Sequence, residues 1–154
     1  MLDAGSRAPD FTLRDQAGQP VSLSAFRGSA NVLLVFFPLA FTAVCEGELA
    51  EIRDNAARYR TDDTVTLTVS ICPPPVHRVW AEQNRFDFPV LSDFWPHGAV
   101  AADYGVLNAD SGLPNRGTFA VDMAGTIAFA EMKQPGERRD QTAWTDALAA
   151  LRSA

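Results

Sequence analysis

Residues 31 to 37, NVLLVFF, form an apolar run broken only by its leading asparagine. A run this short and rich in branched and aromatic residues predicts a central strand covered on both faces. The period then changes. Between residues 43 and 60, Leu49, Ile52, Ala56 and Tyr59 recur three and four apart among Glu48, Glu51, Arg53 and Arg58, which predicts an amphipathic helix. TVTLTVSI (64–71) is β-branched and predicts a second strand, closed by Pro73 to Pro75. PVHRVWAEQNRF predicts a helix starting near Pro75, where proline is tolerated in the first turn. FPVLSD reads as a short strand and HGAVAADYGV as a short helix. RGTFAVDMAGTIAFAEM reads as a hairpin turning at Ala124-Gly125. RRDQTAWTDALAALRSA closes the chain as an amphipathic helix built on Trp144, Leu148 and Leu151. Near the start, FTLRDQAGQPVSL predicts two short strands around a Gly18 turn, an N-terminal β-hairpin.

This order belongs to the α/β class, with a mixed central sheet flanked by helices, and matches the order of a thioredoxin-like fold. No repeat, linker or low-complexity tract interrupts it, so residues 1–154 read as one domain. Composition narrows the functional classes. The formal net charge is -6, and the densest basic spot is Arg138-Arg139, which disfavours a nucleic-acid partner. The longest apolar stretch is broken by Pro38 and too short to span a bilayer, so no membrane role is expected. The first residues lack the charged-then-apolar order of a secretory signal, and a cytoplasmic location is expected. The two cysteines and two histidines match no zinc spacing, and no metal is expected.

Cys45 is the residue that could carry chemistry. In PLAFTAVCEGEL (38–49) the strand stops at Pro38 and a helix starts just before the cysteine. Backbone N–H groups in a first helical turn lack acceptors, and the helix dipole favours negative charge there, so a thiol ionises more readily. A buried, inert core cysteine is the competing reading. Thr42, three residues earlier, is placed as the helix N-cap. Its hydroxyl could donate to a thiolate while accepting from a peroxide O–H, or it could simply cap. Pro38 stiffens the loop entry or merely ends a strand.

Taken together, Pro38, Thr42 and Cys45 spell Pro-x-x-x-Thr-x-x-Cys, and here the chain resembles the peroxiredoxin family. With APDFTLRD, NVLLVFFPLAFT, SDFWPHGAV, NRGTFAVD and AEMKQPGE, the likeness runs over nearly the whole chain and is to the one-cysteine, alkyl hydroperoxide reductase E subgroup. The resemblance implies that Arg116, in PNRGTF, completes the site, that Glu48 orients it, and that Pro38 shields the oxidised sulfur. A surface arginine and a solvated helix acid are the plain readings of the same residues. The implied activity is thiol-dependent reduction of hydrogen peroxide, alkyl hydroperoxides or peroxynitrite, through a sulfenic acid on Cys45, without a cofactor. Acidity alone cannot make such a reaction fast. With a Brønsted slope of about 0.4–0.5, each thiolate loses reactivity nearly as quickly as the thiolate fraction grows. Rate must come from groups that grip the two oxygens as charge builds on the departing one. The reading therefore requires a reachable Cys45 and a guanidinium at Arg116 aimed at it.

Some relatives carry a resolving cysteine five residues after the reactive one, where this chain has Ala50. No Cys-x-x-Cys motif occurs either. The expected reductant is external, a low-molecular-weight thiol or a glutaredoxin- or mycoredoxin-type protein. Cys72, at the end of the second long strand, departs from the subgroup pattern; a resolving role and a bystander thiol both stay open. His77 and His97 read as packing or surface residues. Trp80, Phe94 and Trp95 read as core, site wall or subunit interface. A homodimer is expected from the resemblance. A peroxide sensor that relays oxidation to a protein partner would carry the same residues.

Overall fold

The computed structural model describes residues 1–152. A seven-stranded mixed sheet forms its centre, in the order β2-β1-β5-β4-β3-β8-β9. Its middle is β3 (Asn31–Phe36), every residue of which is buried, as the apolar run requires. β4 (Thr64–Ser70) pairs with it in parallel on one side, and β8 (Arg116–Val121) antiparallel on the other. β5 (Val90–Ser92) extends the parallel side beyond β4. β9 (Ile127–Lys133) closes the far edge through the hairpin with β8, which bulges at Ala120/Val121. β1 (Thr12–Arg14) and β2 (Pro20–Ser22) are the N-terminal hairpin, docked antiparallel on β5. This is the mixed, helix-flanked sheet that the sequence predicts.

Helices cover both faces. α1 (Ala43–Asp54), α3 (Pro74–Asn84) and α5 (Gln141–Arg152) pack one apolar cluster against the sheet, containing Leu33, Val35, Leu49, Ile52, Trp80, Trp144 and Leu148. α4 (Ala99–Asp103) serves the opposite cluster, around Leu34, Phe36, Tyr104 and Phe119. Alternate residues of β3 thus feed opposite cores, the period-two consequence of the strand.

Three details depart from the pattern read along the chain. The helix expected over residues 43–60 breaks at Asn55 into α1 and α2 (Ala56–Tyr59). Asn55 ends α1 with its side-chain amide donating to Glu51 O at 2.8 Å, the local competition asparagine offers a helix. A small second sheet, β6 (Leu107–Asn108) with β7 (Leu113–Pro114), is too short to leave a period. Asp93 is buried and accepts from the N–H groups of Val100 and Ala101, capping α4 from a distance of seven residues. Leu151 lies in α5 as expected, and residues 153–154 of the closing segment lie outside the described residues. No described helix is long and apolar enough to cross a membrane.

One histidine is a surface residue and the other a packing residue. His97 is exposed, its Nε2 2.7 Å from Gly112 O. His77 is fully buried in α3, with Nδ1 3.1 Å from Ser92 Oγ and no partner for Nε2 among the described residues. Burial pushes it from 6.5 down to about 4. The unfolded chain then binds a proton between those pH values that the folded chain does not. Stability is therefore lost as pH falls through this window, by about 3 kcal/mol at its lower end. Denaturant titrations from pH 7 to pH 4 should show this fall in the native chain and a flatter profile in His77→Gln; parallel profiles would refute it.

Candidate active site

The reactive-cysteine segment is built at the C-terminal end of β3. Pro38 follows Phe37, is buried, and cannot continue the ladder because it lacks an N–H. Its carbonyl accepts from Ser70 Oγ at 3.0 Å, tying the loop to β4. The chain then turns through Phe41, a half-exposed residue held at φ 65. A bulky side chain in the left-handed region is strained, by about 1–3 kcal/mol. Thr42 is extended and stands at the N-cap position of α1, so Cys45 is the third helical residue and Glu48 follows one turn later.

The first intrahelical bond is Glu46 N–H to Thr42 O, 2.9 Å. The N–H groups of Ala43, Val44 and Cys45 precede it, as expected of a helix start. Thr42 does not use its side chain as a cap. Its hydroxyl donates backwards to Leu39 O at 2.6 Å. With its one proton committed there, the oxygen is left as an acceptor.

Beneath Cys45 lies a buried charge cluster. Arg116, at the start of β8, donates from Nη1 to Glu48 Oε1 at 2.6 Å and from Nε to Pro135 O at 2.8 Å. Its Nη2 makes no hydrogen bond among the described residues. Glu48 also faces a second guanidinium. Arg139, fully buried, donates from Nη2 to Glu48 Oε1 at 2.7 Å and from Nε and its own backbone N–H to Oε2, each at 3.0 Å. Its Nη1 reaches Phe36 O, Gly117 O and Thr118 Oγ1, and its guanidinium lies over the Trp144 ring at 5.1 Å. Burial alone would raise Glu48; the hydrogen bonds and charge of Arg139, with Arg116 behind them, hold its carboxyl below the usual range. The guanidinium of Arg139 remains charged at any working pH.

Sequence reading placed Glu48 beside Arg116 and missed Arg139, seeing it only as half of a basic doublet. A buried arginine has no spacing signature. Its one trace is position, just ahead of an amphipathic helix whose first turn returns to α1. The cluster carries one acid against two guanidiniums, so it holds a surplus positive charge in a dry site under the first turns of α1. That field favours negative charge passing between a sulfur and an oxygen.

Cys45 is 0% exposed, and no hydrogen bond joins it to Thr42 or Arg116 among the described residues. The reachable thiol that the sequence reading requires is therefore not met in this conformation. Phe41, in the strained turn, and Val44, just before the cysteine, are both exposed, and a cleft of about 330 Å³ lined by Ala43, Val44, Gly47 and Arg138 opens on the first turns of α1. Cys72 is half-buried and packs on the same apolar cluster as Cys45, Ala40 and Trp80. Burial pushes its thiol up, opposed only by the N–H of Ala40. Trp80 is core, its Nε1 donating to Glu46 Oε1 at 3.1 Å, whereas Phe94 and Trp95 stand exposed. Among the described residues no group of three or more His, Cys, Asp or Glu could hold a metal ion.

Comparison with known proteins points the same way as this geometry. The AhpC/TSA family model matches residues 4–130. Alkyl hydroperoxide reductase E of Mycobacterium tuberculosis is 62% identical over 151 residues, covering 98% of this chain and 99% of that protein. A putative peroxiredoxin of Synechocystis is 33% identical, over 84% of this chain and 68% of its own length. Among solved structures, peroxidoxin BcpB of M. tuberculosis superposes with a TM-score of 0.84 at 33% identity, covering 99% of this chain and 98% of that one. M. tuberculosis AhpC also gives 0.84, at 26% identity and with 99% of each chain covered.

Proposed function

The chain belongs to the AhpC/TSA family, and from that premise we propose that it is a thiol-dependent peroxidase working through Cys45. The observation that carries the assignment of residues is the buried Glu48 with its two arginines, one helical turn below a cysteine at a helix start. The thiolate of Cys45 attacks one oxygen of a hydroperoxide. The O–O bond breaks, the departing oxygen leaves as water or alcohol after taking a proton, or as nitrite when the substrate is peroxynitrite, and Cys45 becomes a sulfenic acid. The free Nη2 of Arg116 and the N–H of Cys45 hold the oxygens, and the Thr42 oxygen accepts from the peroxide O–H. Because Cys45 is covered at rest, the turn from Pro38 to Thr42 lifts to admit substrate and closes Pro38 over the sulfenic acid. The substrates are hydrogen peroxide, alkyl hydroperoxides or peroxynitrite.

Ala50 occupies the place of one familiar resolving cysteine, so the sulfenic acid is reduced from outside. A low-molecular-weight thiol, or a glutaredoxin- or mycoredoxin-type protein, forms a mixed disulfide with Cys45 and releases water; a second thiol then frees the enzyme. No bound cofactor takes part. Phe41, Val44, Phe94 and Trp95 are exposed apolar side chains, and it is through such residues on the loop edges around the active site that two copies pair; the enzyme works in the cytoplasm.

Two measurements test the assignment. Treatment with one equivalent of peroxide followed by dimedone should add a single label, on Cys45. Cys72→Ser should oxidise at the native rate, within about twofold, and turn over with an external thiol as before. A high-yield Cys45–Cys72 disulfide in the native chain would replace the external route with an internal one. No labelling at Cys45 would end the assignment.

A further inference from the structure

At the pole of the sheet away from Cys45 lies a cavity of about 170 Å³, walled by Phe26, Ile52, Tyr59, Val65, Phe88 and Pro89. Ile52 and Tyr59 are almost wholly buried, while Arg60 and Asp87 stand at its rim, both exposed and 3.7 Å apart. The polar atoms in the wall are already used. Tyr59 Oη donates to Gln141 Oε1 at 2.7 Å, and Thr66 Oγ1 donates to Tyr59 O at 2.8 Å. The rim charges answer each other across the mouth. Nothing inside therefore asks for a hydrogen bond or a counter-charge.

The pocket opens to solvent past Arg60 and Asp87, and its apolar, internally satisfied space is close in size to the roughly 150 Å³ that takes benzene in an apolar cavity. Its three aromatic walls suit a flat ring. We propose that it is a binding site for small neutral apolar molecules, of the class of monocyclic arenes. The site stands independently of the peroxidase assignment. It is nevertheless mechanically joined to the cysteine helix. Ile52 belongs to α1, one turn beyond Glu48, and the Tyr59–Gln141 bond continues through Gln141 Nε2 to Glu48 O at 2.9 Å. An occupant fills the gap where α1 breaks into α2 and braces both.

Titration of the full chain with 4-fluorotoluene, followed by ¹⁹F and backbone NMR, tests the proposal. Saturable binding is expected, with shifts confined to Phe26, Ile52, Ala56, Tyr59, Val65 and Phe88, and a thermal midpoint that rises with ligand concentration. Ala56→Leu and Val65→Leu, which add volume to the wall, should each weaken binding at least tenfold; two variants guard against one failing to fold. Binding that survives both, no saturation by the native chain at millimolar probe, or tighter binding of benzoate than of the neutral ring would each overturn it. Dimedone labelling of Cys45 is unaffected by any of these outcomes, so failure here leaves the peroxidase reading standing.

Discussion

Arg116→Met should slow the oxidation of Cys45 by peroxide about a hundred- to a thousandfold, while the chain still folds. The magnitude is that of losing one preorganised donor from a developing oxyanion. Two features make Arg116 the place to look. Its Nη1 and Nε are tied to Glu48 and Pro135, so the guanidinium is fixed without help from substrate. Its Nη2 is left over, and a fixed, unspent donor costs no reorganisation when charge appears. Removing the side chain leaves Glu48 with Arg139, still a satisfied pair, so the stability cost is modest. Stopped-flow oxidation measured alongside a thiolate titration separates the two explanations. A rate loss accounted for wholly by a change in Cys45 ionisation would refute the oxyanion role.

The frame of this molecule was legible because it rests on burial. An apolar run must be a covered strand, and residues 31–36 are one. Leu49, Ile52 and Tyr59 recur at helical spacing because they face one core, and all three are buried. Burial could not reveal that the helix stops at Asn55, since Ala56 and Tyr59 keep the period across the break. That depends on a single side-chain amide competing for one carbonyl. The site was legible to the extent that it is local. Thr42, Cys45 and Glu48 lie on one turn and its extension, and their spacing places them. Arg116 came through resemblance, and Arg139 came through neither. It reaches Glu48 across 91 residues of chain. The direction of the Thr42 hydroxyl was equally hidden, since an N-cap position allows a cap without requiring one.

Glu48→Leu should destabilise the fold by about 3–5 kcal/mol, the cost of stripping the partner from a buried ion pair. Glu48 accepts four hydrogen bonds from two arginines that are themselves almost entirely covered. Leucine leaves both guanidiniums buried without an anion, and Arg139 cannot turn outward without surrendering Phe36 O, Gly117 O and Thr118 Oγ1. Those three acceptors lie on β3 and β8, so the arginine clamps the central strands to α1 and α5. For a chain of this length each kcal/mol moves the thermal midpoint by about 2–4 °C, so a fall of at least about 6 °C is expected. Arg139→Met should cost less, because it leaves the neutral Glu48–Arg116 pair intact. The order of the two variants is the discriminating result. Were Arg139→Met the more damaging, the arginine would act mainly by packing on Trp144 and bonding the strand carbonyls, and the acid would be its accessory. The expected order instead makes Glu48 the anion that permits two cations to be buried under a reacting sulfur, and so the residue on which the positive field of the site depends.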